Sequence, residues 1–202
     1  TDLFYLKLKY LKLSMDALEN ILLRVSAREL SKPCPSPSEM EIVYKAALRA
    51  PDHAWLRPSS FIEVTGESLK KLSTIFENFG QSIPNIKPEI MEKYKNAPFR
   101  APMIIILVNT VKDHAKVPAI EQKLSTAAAA QNLILALNAM SYGAIWRTGK
   151  FAFNESIQHE LGLKTNQEIL GYLYVGTSVG KNKYTTILKV NTKRIKLVPQ
   201  RT

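Results

Sequence analysis

Residues 103–108 read Met103-Ile104-Ile105-Ile106-Leu107-Val108, a run of apolar residues that directly follows Pro102. No polar residue interrupts the run, so it lacks the alternation expected of a strand with one face in water. A continuous apolar run of this length is typical of a strand buried on both faces. The sequence therefore predicts a strand at 102–108 with other structure packed against both of its faces.

Other predicted elements surround this strand without a regular β-α-β alternation. Short strands are predicted at 61–64 and 145–148, a central strand at 169–175, and the tail alternates enough over 183–198 to add an edge strand. Helices are predicted at 15–25, 38–50, 67–79, 89–96, 118–142 and 154–161. This mixture predicts the α+β class, an α+β sandwich rather than a doubly wound sheet.

Two of these helices carry strong signals at their ends. Ser38 is followed three residues later by Glu41, which predicts a capping box at the start of the helix 38–50, directly after Pro37. Gly143 is predicted to end the long helix 118–142. No charged residue occurs between Leu124 and Met140, so we expect this helix to be buried, partly by a second subunit.

Length and charge restrict the functional classes. The 202 residues predict one domain over 15–202, with residues 1–14 as an extension outside it. The net charge is +11, but the tail 181–202 carries seven basic and no acidic residues, and the body is near neutral. We therefore expect no nucleic-acid partner and no membrane span. Cys34 is the only cysteine, which favours a reducing compartment, the cytoplasm.

The usual signatures of a catalytic centre are missing from the sequence. There is no glycine-rich dinucleotide or phosphate loop, and no nucleophile elbow. The three histidines, His53, His114 and His159, have no second ligand at a spacing that binds a metal, so no metal site is expected. If the chain is an enzyme, a bound cofactor carries the reaction and no side chain is singled out as catalytic.

Two local clusters could contact a ligand. Arg24-Val25-Ser26-Ala27-Arg28 places two guanidinium groups and a hydroxyl within five residues, a set that can hold a phosphate. The alternative is a solvated helix end, where cations are favoured by the helix dipole. Residues 143–149 have glycines on either side of a Trp, an Arg and a Thr, which lets the backbone approach a ligand. The alternative there is a helix–strand turn with a core tryptophan.

Five segments in order, over about 15–178, resemble the FMN-dependent nitroreductase family, in particular its compact bacterial branch of putative NAD(P)H nitroreductases. The first is Met15-Asp16-Ala17-Leu18-Glu19 with 24–28. The others are Arg49-Ala50-Pro51-Asp52-His53, Asn96-Ala97-Pro98-Phe99-Arg100-Ala101-Pro102, Lys116-Val117-Pro118 with Glu121-Gln122, and Gly143-Ala144-Ile145-Trp146-Arg147-Thr148-Gly149 followed by Gly171-Tyr172-Leu173-Tyr174-Val175-Gly176-Thr177.

The resemblance implies a nitroreductase-like sandwich, a central mixed or antiparallel sheet flanked by helices, in a homodimer with FMN at the interface. It implies hydride transfer from NAD(P)H through the flavin to a nitro, quinone or similar small-molecule acceptor, by ping-pong kinetics. The cofactor-binding residues it implies are Arg24, Val25, Ser26, Arg28, Arg49, His53, Trp146, Arg147 and Thr148.

The chain departs from the family pattern after His53, where the family commonly shows Gln-Pro-Trp and this chain has Arg57-Pro58-Ser59. Arg57 is therefore expected either to place a cation near the flavin or to point into solvent. Two other functions stay open. One is a flavoprotein of the same fold with a different reaction, and the other is a non-enzymatic binding protein that uses its basic tail.

Overall fold

The computed structural model describes residues 16–180. The extension 1–14 and the basic tail, with the strand predicted at 183–198, lie outside the described residues. The helices are α1 (Ala17–Leu23), α2 (Pro37–Ala47), α3 (Glu67–Gln81), α4 (Pro88–Asn96), α5 (Ala119–Ala139) and α6 (Glu155–Glu160), with 3₁₀ turns at His53–Trp55 and Ala97–Arg100. The strands are β1 (Leu30–Ser31), β2 (Ser59–Thr65), β3 (Met103–Thr110), β4 (Gly143–Arg147) and β5 (Gln167–Ser178).

The strands form one five-stranded sheet in the order β1-β5-β3-β2, with β4 also paired to β5. Every strand pair is antiparallel, so of the two expected arrangements, mixed or antiparallel, the structure has the antiparallel one. A single parallel bridge joins Ser26 to Ala144, at the start of β4. The α+β class is confirmed.

The burial on both faces predicted for the apolar run 103–108 is confirmed, and so is the central position predicted for 169–175, since β5 pairs with β3 on one side and with β1 and β4 on the other. β3 pairs with β2 on one edge and with β5 on the other, and residues 103–109 are all buried. Alternate side chains of β3 reach two separate cores, because successive residues of a strand point to opposite faces. Ile104 and Ile106 pack in the core beneath α3, whereas Ile105 and Leu107 pack beneath α2 and α5.

The capping box of α2 lies two residues earlier than predicted. Ser36 accepts a hydrogen bond from the Glu39 backbone nitrogen, and a Glu39 carboxylate oxygen accepts one from the Ser36 backbone nitrogen at 2.7 Å. Pro37 occupies the first helical position, where its fixed φ is favourable and its missing N–H is not needed. The prediction of a Ser38–Glu41 box was therefore wrong, although the helix itself is present and ends at Ala47, before the predicted residue 50.

The end predicted for α5 was also wrong. Ser141, with φ +66°, is the left-handed residue after the helix, and the Tyr142 backbone nitrogen donates to the Leu137 carbonyl oxygen at 2.9 Å. This is a Schellman motif built on serine instead of glycine. Gly143 instead begins β4, where an added Cβ would lie 2.9 Å from both the Ala27 and Leu30 side chains. Close packing against 27–30 explains why a glycine stands there.

The described chain itself buries the side of α5 that faces the sheet. Leu133 and Leu137 are fully buried against the sheet, whereas Leu124 keeps 60% of its surface exposed. The expectation that a second subunit must cover this helix therefore applies to its outer face alone. No helix among residues 16–180 is long and apolar enough to cross a membrane.

Candidate functional site

The two clusters recognised in the sequence lie next to each other in the fold. The backbone nitrogen of Ala27 donates to the Ala144 carbonyl oxygen at 3.1 Å, and Ser26 forms the parallel bridge to the same residue. The segment 24–28 therefore runs beside the first half of β4, and Trp146 and Arg147 follow on the same strand. The structure brings these two groups of predicted cofactor-binding residues together.

The polar side chains of 24–28 are unpartnered. Within the described residues, the side chains of Arg24, Ser26 and Arg28 form no hydrogen bond or ion pair, while Val25 between them is half-buried. A phosphate group accepts such donors in charge-assisted hydrogen bonds. The arrangement leaves two guanidinium groups and one hydroxyl available to an anion at the edge of the sheet.

The predicted stretch Trp146-Arg147-Thr148 does not present its side chains to one surface. Trp146 packs against the core beneath α2 and α5, and its Nε1 donates to the Leu170 carbonyl oxygen at 3.2 Å. Gly171 makes room for the indole, since an added Cβ there would lie 2.1 Å from Trp146 Nε1. Arg147 points to the opposite face because side chains alternate along a strand.

The guanidinium of Arg147 lies over the ring of Tyr174, with Cζ 5.6 Å from the ring centroid. Its Nε is buried and has no hydrogen-bond partner. An unpaired buried donor costs about 1–3 kcal/mol, so native structures seldom keep one without a reason. Burial raises the pKa of the Tyr174 phenol, while the positive charges of Arg100 and Arg147 oppose that rise. The end of β4 is therefore a second position, after the segment 24–28, at which a hydrogen-bond donor has no partner.

His53 lies near the amino-terminal end of α5, and Arg49 and Arg57 stand on either side of it in the sequence; these three residues are called the His53 group. His53 Nδ1 lies 2.7 Å from a Glu121 carboxylate oxygen, and both side chains are about half exposed. The Arg49 side chain is exposed and has no hydrogen bond or ion pair within residues 16–180. Arg57 is exposed as well, and its Cζ lies 5.2 Å from the centre of a Trp55 ring.

The loop that carries His53 and Arg57 is held in an unusual backbone conformation. Ala54, Trp55 and Arg57 all have positive φ, a region that costs a non-glycine residue about 1–3 kcal/mol. Asp52 stabilises the loop, because its carboxylate accepts hydrogen bonds from the Leu56 and Arg57 backbone nitrogens at 3.0 and 2.9 Å. Trp55 is left 77% exposed.

These two groups are not in contact within one chain. Asn20 of α1, which leads into 24–28, donates to the Leu135 carbonyl oxygen of α5, whereas His53 pairs with Glu121 at the other end of that helix. Fourteen residues of helix at 1.5 Å each separate these two levels by about 21 Å. No hydrogen bond or ion pair among residues 16–180 joins the two groups.

The sequence alone did not identify three residues of this region. Glu121 and Arg100 both belong to the segments that resemble the family. Their spacing did not indicate that Glu121 pairs with His53 or that Arg100 faces Tyr174. Asp52 offered a weak signal, because Asp often accepts hydrogen bonds from backbone nitrogens that follow it in a turn. Among residues 16–180, no group of three or more His, Cys, Asp or Glu side chains could hold a metal ion.

Comparison with known proteins identifies the family. The model of the nitroreductase family matches residues 21–177, which is most of the chain. This chain belongs to the nitroreductase family. A curated relative, named "Putative NAD(P)H nitroreductase YdjA" from Escherichia coli strain K12, is 34% identical over 163 residues, covering 81% of this chain and 88% of the relative. The family is one of oxidoreductases, and the chain is therefore an enzyme of that class.

Solved nitroreductase structures share the fold. A nitroreductase-like family protein from Bacillus cereus superposes with a TM-score of 0.81 at 19% identity, covering 92% of this chain and 97% of that one. A structure described as a nitroreductase in complex with FMN, from Desulfovibrio desulfuricans, gives a TM-score of 0.70 at 16% identity, covering 92% and 98%. The nitroreductase-like architecture expected from the sequence is confirmed.

Proposed function

We propose that this member of the nitroreductase family is an FMN-dependent oxidoreductase that uses NAD(P)H to reduce a nitro, quinone or similar small acceptor. The observation that carries the proposal is the juxtaposition of the unpartnered donors of 24–28 with the end of β4. Family membership and the FMN named in the Desulfovibrio structure support the choice of cofactor.

The residues present fit FMN. Arg24, Ser26 and Arg28 can donate charged and neutral hydrogen bonds, which the oxygens of a phosphate and of a ribityl chain can accept. The orphaned Arg147 Nε is a further donor about three residues along β4 from the Ser26–Ala144 bridge. No carboxylate occurs from Arg24 to Arg28, and the two arginines outnumber the single Glu29 that follows them. We infer that Thr148 lies next to the flavin, since it continues the same strand end.

The protein's own contribution is binding and electrostatics. FMN, when bound, would supply the redox chemistry, which is hydride transfer from NAD(P)H and reduction of a second substrate by ping-pong kinetics. Arg24 and Ser26 hold the cofactor by charge-assisted and neutral hydrogen bonds. Trp146 fixes the strand end by its bond to Leu170, so the backbone that faces the cofactor does not shift.

We propose that the enzyme acts as a homodimer. α1 exposes a group of apolar side chains, Leu22 at 64% with Leu18 and Ile21 beside it, and α5 exposes Leu124 at 60%. A group of exposed apolar side chains marks an interaction surface, which a second copy of the chain would cover. A second copy would also bring the Arg49 and His53 side chains of one chain to the Arg24 group of the other. Sedimentation of the purified protein as an FMN-loaded monomer would contradict this.

Replacement of Arg24 by alanine tests the cofactor site. Loss of one charge-assisted hydrogen bond, about 1.5–3 kcal/mol, weakens binding by a factor of ten or more. The measurement is titration of the flavin-free protein with FMN, followed by quenching of flavin fluorescence. Lys71→Ala, a change of an exposed cation on α3, is the matched control and should keep the wild-type affinity. Equal FMN affinity in Arg24→Ala and wild type would refute the phosphate assignment.

A further inference from the structure

A cavity of about 560 Å³ opens on the α3 and α4 face of the sheet, beside the end of β4. Four of its lining residues are cations: Lys93 of α4, Arg100 of the following 3₁₀ turn, and Arg147 and Lys150 at and after the end of β4. Among residues 16–180, no carboxylate lines this cavity. This concentration of positive charge occurs in a domain whose body is otherwise almost neutral.

The four charges are not neutralised by the chain itself. Within residues 16–180, the side chains of Lys93, Arg100 and Lys150 form no ion pair or hydrogen bond, and Arg147 Nε is buried without a partner. Neighbouring Lys95 on the same helix differs, because its Nζ lies 3.5 Å from the Glu77 carboxylate and it does not line the cavity. The four cations that face the cavity are therefore unpaired, and a cavity lined this way favours an anionic ligand.

The remaining wall is aromatic. Tyr172 and Tyr174 line the cavity from β5, and Tyr94 lines it from α4. The Tyr172 hydroxyl is already used, since it donates to the Phe151 carbonyl oxygen at 3.0 Å. The Tyr174 hydroxyl forms no hydrogen bond within the described residues and is free to donate. Rings with a few placed donors are the usual lining of a pocket for a small organic molecule.

We propose that this cavity binds the electron acceptor, and that the acceptor is a ring compound carrying a carboxylate or phosphate group. Arg100, Lys93 and Lys150 bind the anionic group, and the tyrosine rings pack against the ring. This inference rests on the proposed function, because Arg147 and Thr148 of the proposed flavin site line the same cavity and so place its ligand next to the flavin. The volume suits one ring with its substituents, whereas most of a dinucleotide would remain outside.

The test compares two nitroaromatic acceptors that differ in charge, 4-nitrobenzoate and neutral 4-nitrobenzyl alcohol, with the FMN-loaded enzyme. We expect Arg100→Gln to lower the ratio of kcat/KM for 4-nitrobenzoate over the alcohol at least tenfold, mainly by raising KM for the anion. Lys95→Gln is the control. It removes a cation of α4, the helix of Lys93, that does not face the cavity, and it should leave the ratio unchanged. An unchanged ratio in Arg100→Gln would overturn the proposal.

A binding measurement without turnover separates this proposal from the proposed function. Calorimetric titration of the purified protein with 4-nitrobenzoate should show binding that Arg100→Gln and Lys93→Gln each weaken at least tenfold, with unchanged thermal unfolding. A protein that binds this anion but no FMN would refute the proposed function alone. The contrary result is that Arg100→Gln changes FMN affinity or the KM for NADPH and leaves the acceptor ratio unchanged. Either result would show that the cavity holds a cofactor phosphate, and the acceptor assignment would be wrong.

Discussion

Replacing Gly171 with alanine tests how the end of β4 is held. A Cβ at this position would lie 2.1 Å from Trp146 Nε1 and 2.8 Å from the Arg147 carbonyl oxygen. The indole could rotate away, but the backbone oxygen could not move without displacing the strand. The φ of +150° adds strain of about 1–3 kcal/mol for any residue with a side chain. Overpacking adds about 1–3 kcal/mol more, so the unfolding free energy should fall by about 2–6 kcal/mol.

Gly162→Ala is the matched control, because Gly162 also has a positive φ, +74°, but an added Cβ there meets nothing within 4 Å. The unfolding free energy of Gly162→Ala should fall only by the cost of backbone strain at positive φ, about 1–2 kcal/mol. Urea unfolding followed by circular dichroism gives both values, and flavin fluorescence gives FMN affinity, which should fall in Gly171→Ala alone. Equal losses of stability in the two variants would refute the argument that the contacts with Trp146 and Arg147 matter.

Two further predictions concern helix ends. Ser141→Gly should stabilise the protein by roughly 0.5–1 kcal/mol, because it removes the strain of a left-handed φ of +66°. The gain in stability is partly offset because glycine gives the unfolded chain more conformational freedom. An unchanged urea midpoint would contradict this prediction. Ser36→Ala should cost about 1 kcal/mol at pH 7 by removing the hydroxyl half of the capping box. The Ser36 backbone N–H, which alanine retains, and the Ser36 hydroxyl both hold the pKa of Glu39 below its ordinary 4.5. The stabilisation that the hydroxyl contributes in this way is complete above that pH and is lost as the pH falls through the lower folded-state pKa. The difference between Ser36→Ala and wild type should therefore shrink in acid, and a constant difference from pH 7 to pH 3 would show that Glu39 plays no part.

The layered fold was predictable from the sequence because a buried segment must consist mainly of apolar residues. β3 is buried on both faces, and such a strand can hardly contain a polar residue before its last positions. The strand partners were not predictable, since their order depends on long-range pairing that periodicity does not encode. The sequence also held two overlapping capping boxes, Ser36 with Glu39 and Ser38 with Glu41. The proline rule decides between them, because Pro37 fits the first helical position and not the one before the cap.

The candidate site was predictable in its parts but not in its arrangement. The donors of 24–28 and the stretch 146–148 were recognised from residue type and family resemblance. Trp146 and Arg147 point to opposite faces because β4 continues as a strand through Arg147. The sequence also allowed a turn at these residues, and in a turn both side chains could have faced one ligand. Arg100 could not be identified, because its proximity to Tyr174 comes from the packing of the 3₁₀ turn beneath β5.

The separation between the Arg24 group and the His53 group supports the proposed dimer on geometric grounds. Within one chain the two groups lie near levels of α5 about 21 Å apart, marked by Leu135 and Glu121. A twofold axis that crosses α5 near its middle reverses the direction of the helix, so the Glu121 level of one copy falls beside the Leu135 level of the other. The uncharged stretch from Leu124 to Met140 lets two such helices approach without burying an unpaired charge. Two flavin sites, each built from both chains, are then a consequence of symmetry, and loss of the dimer should release FMN.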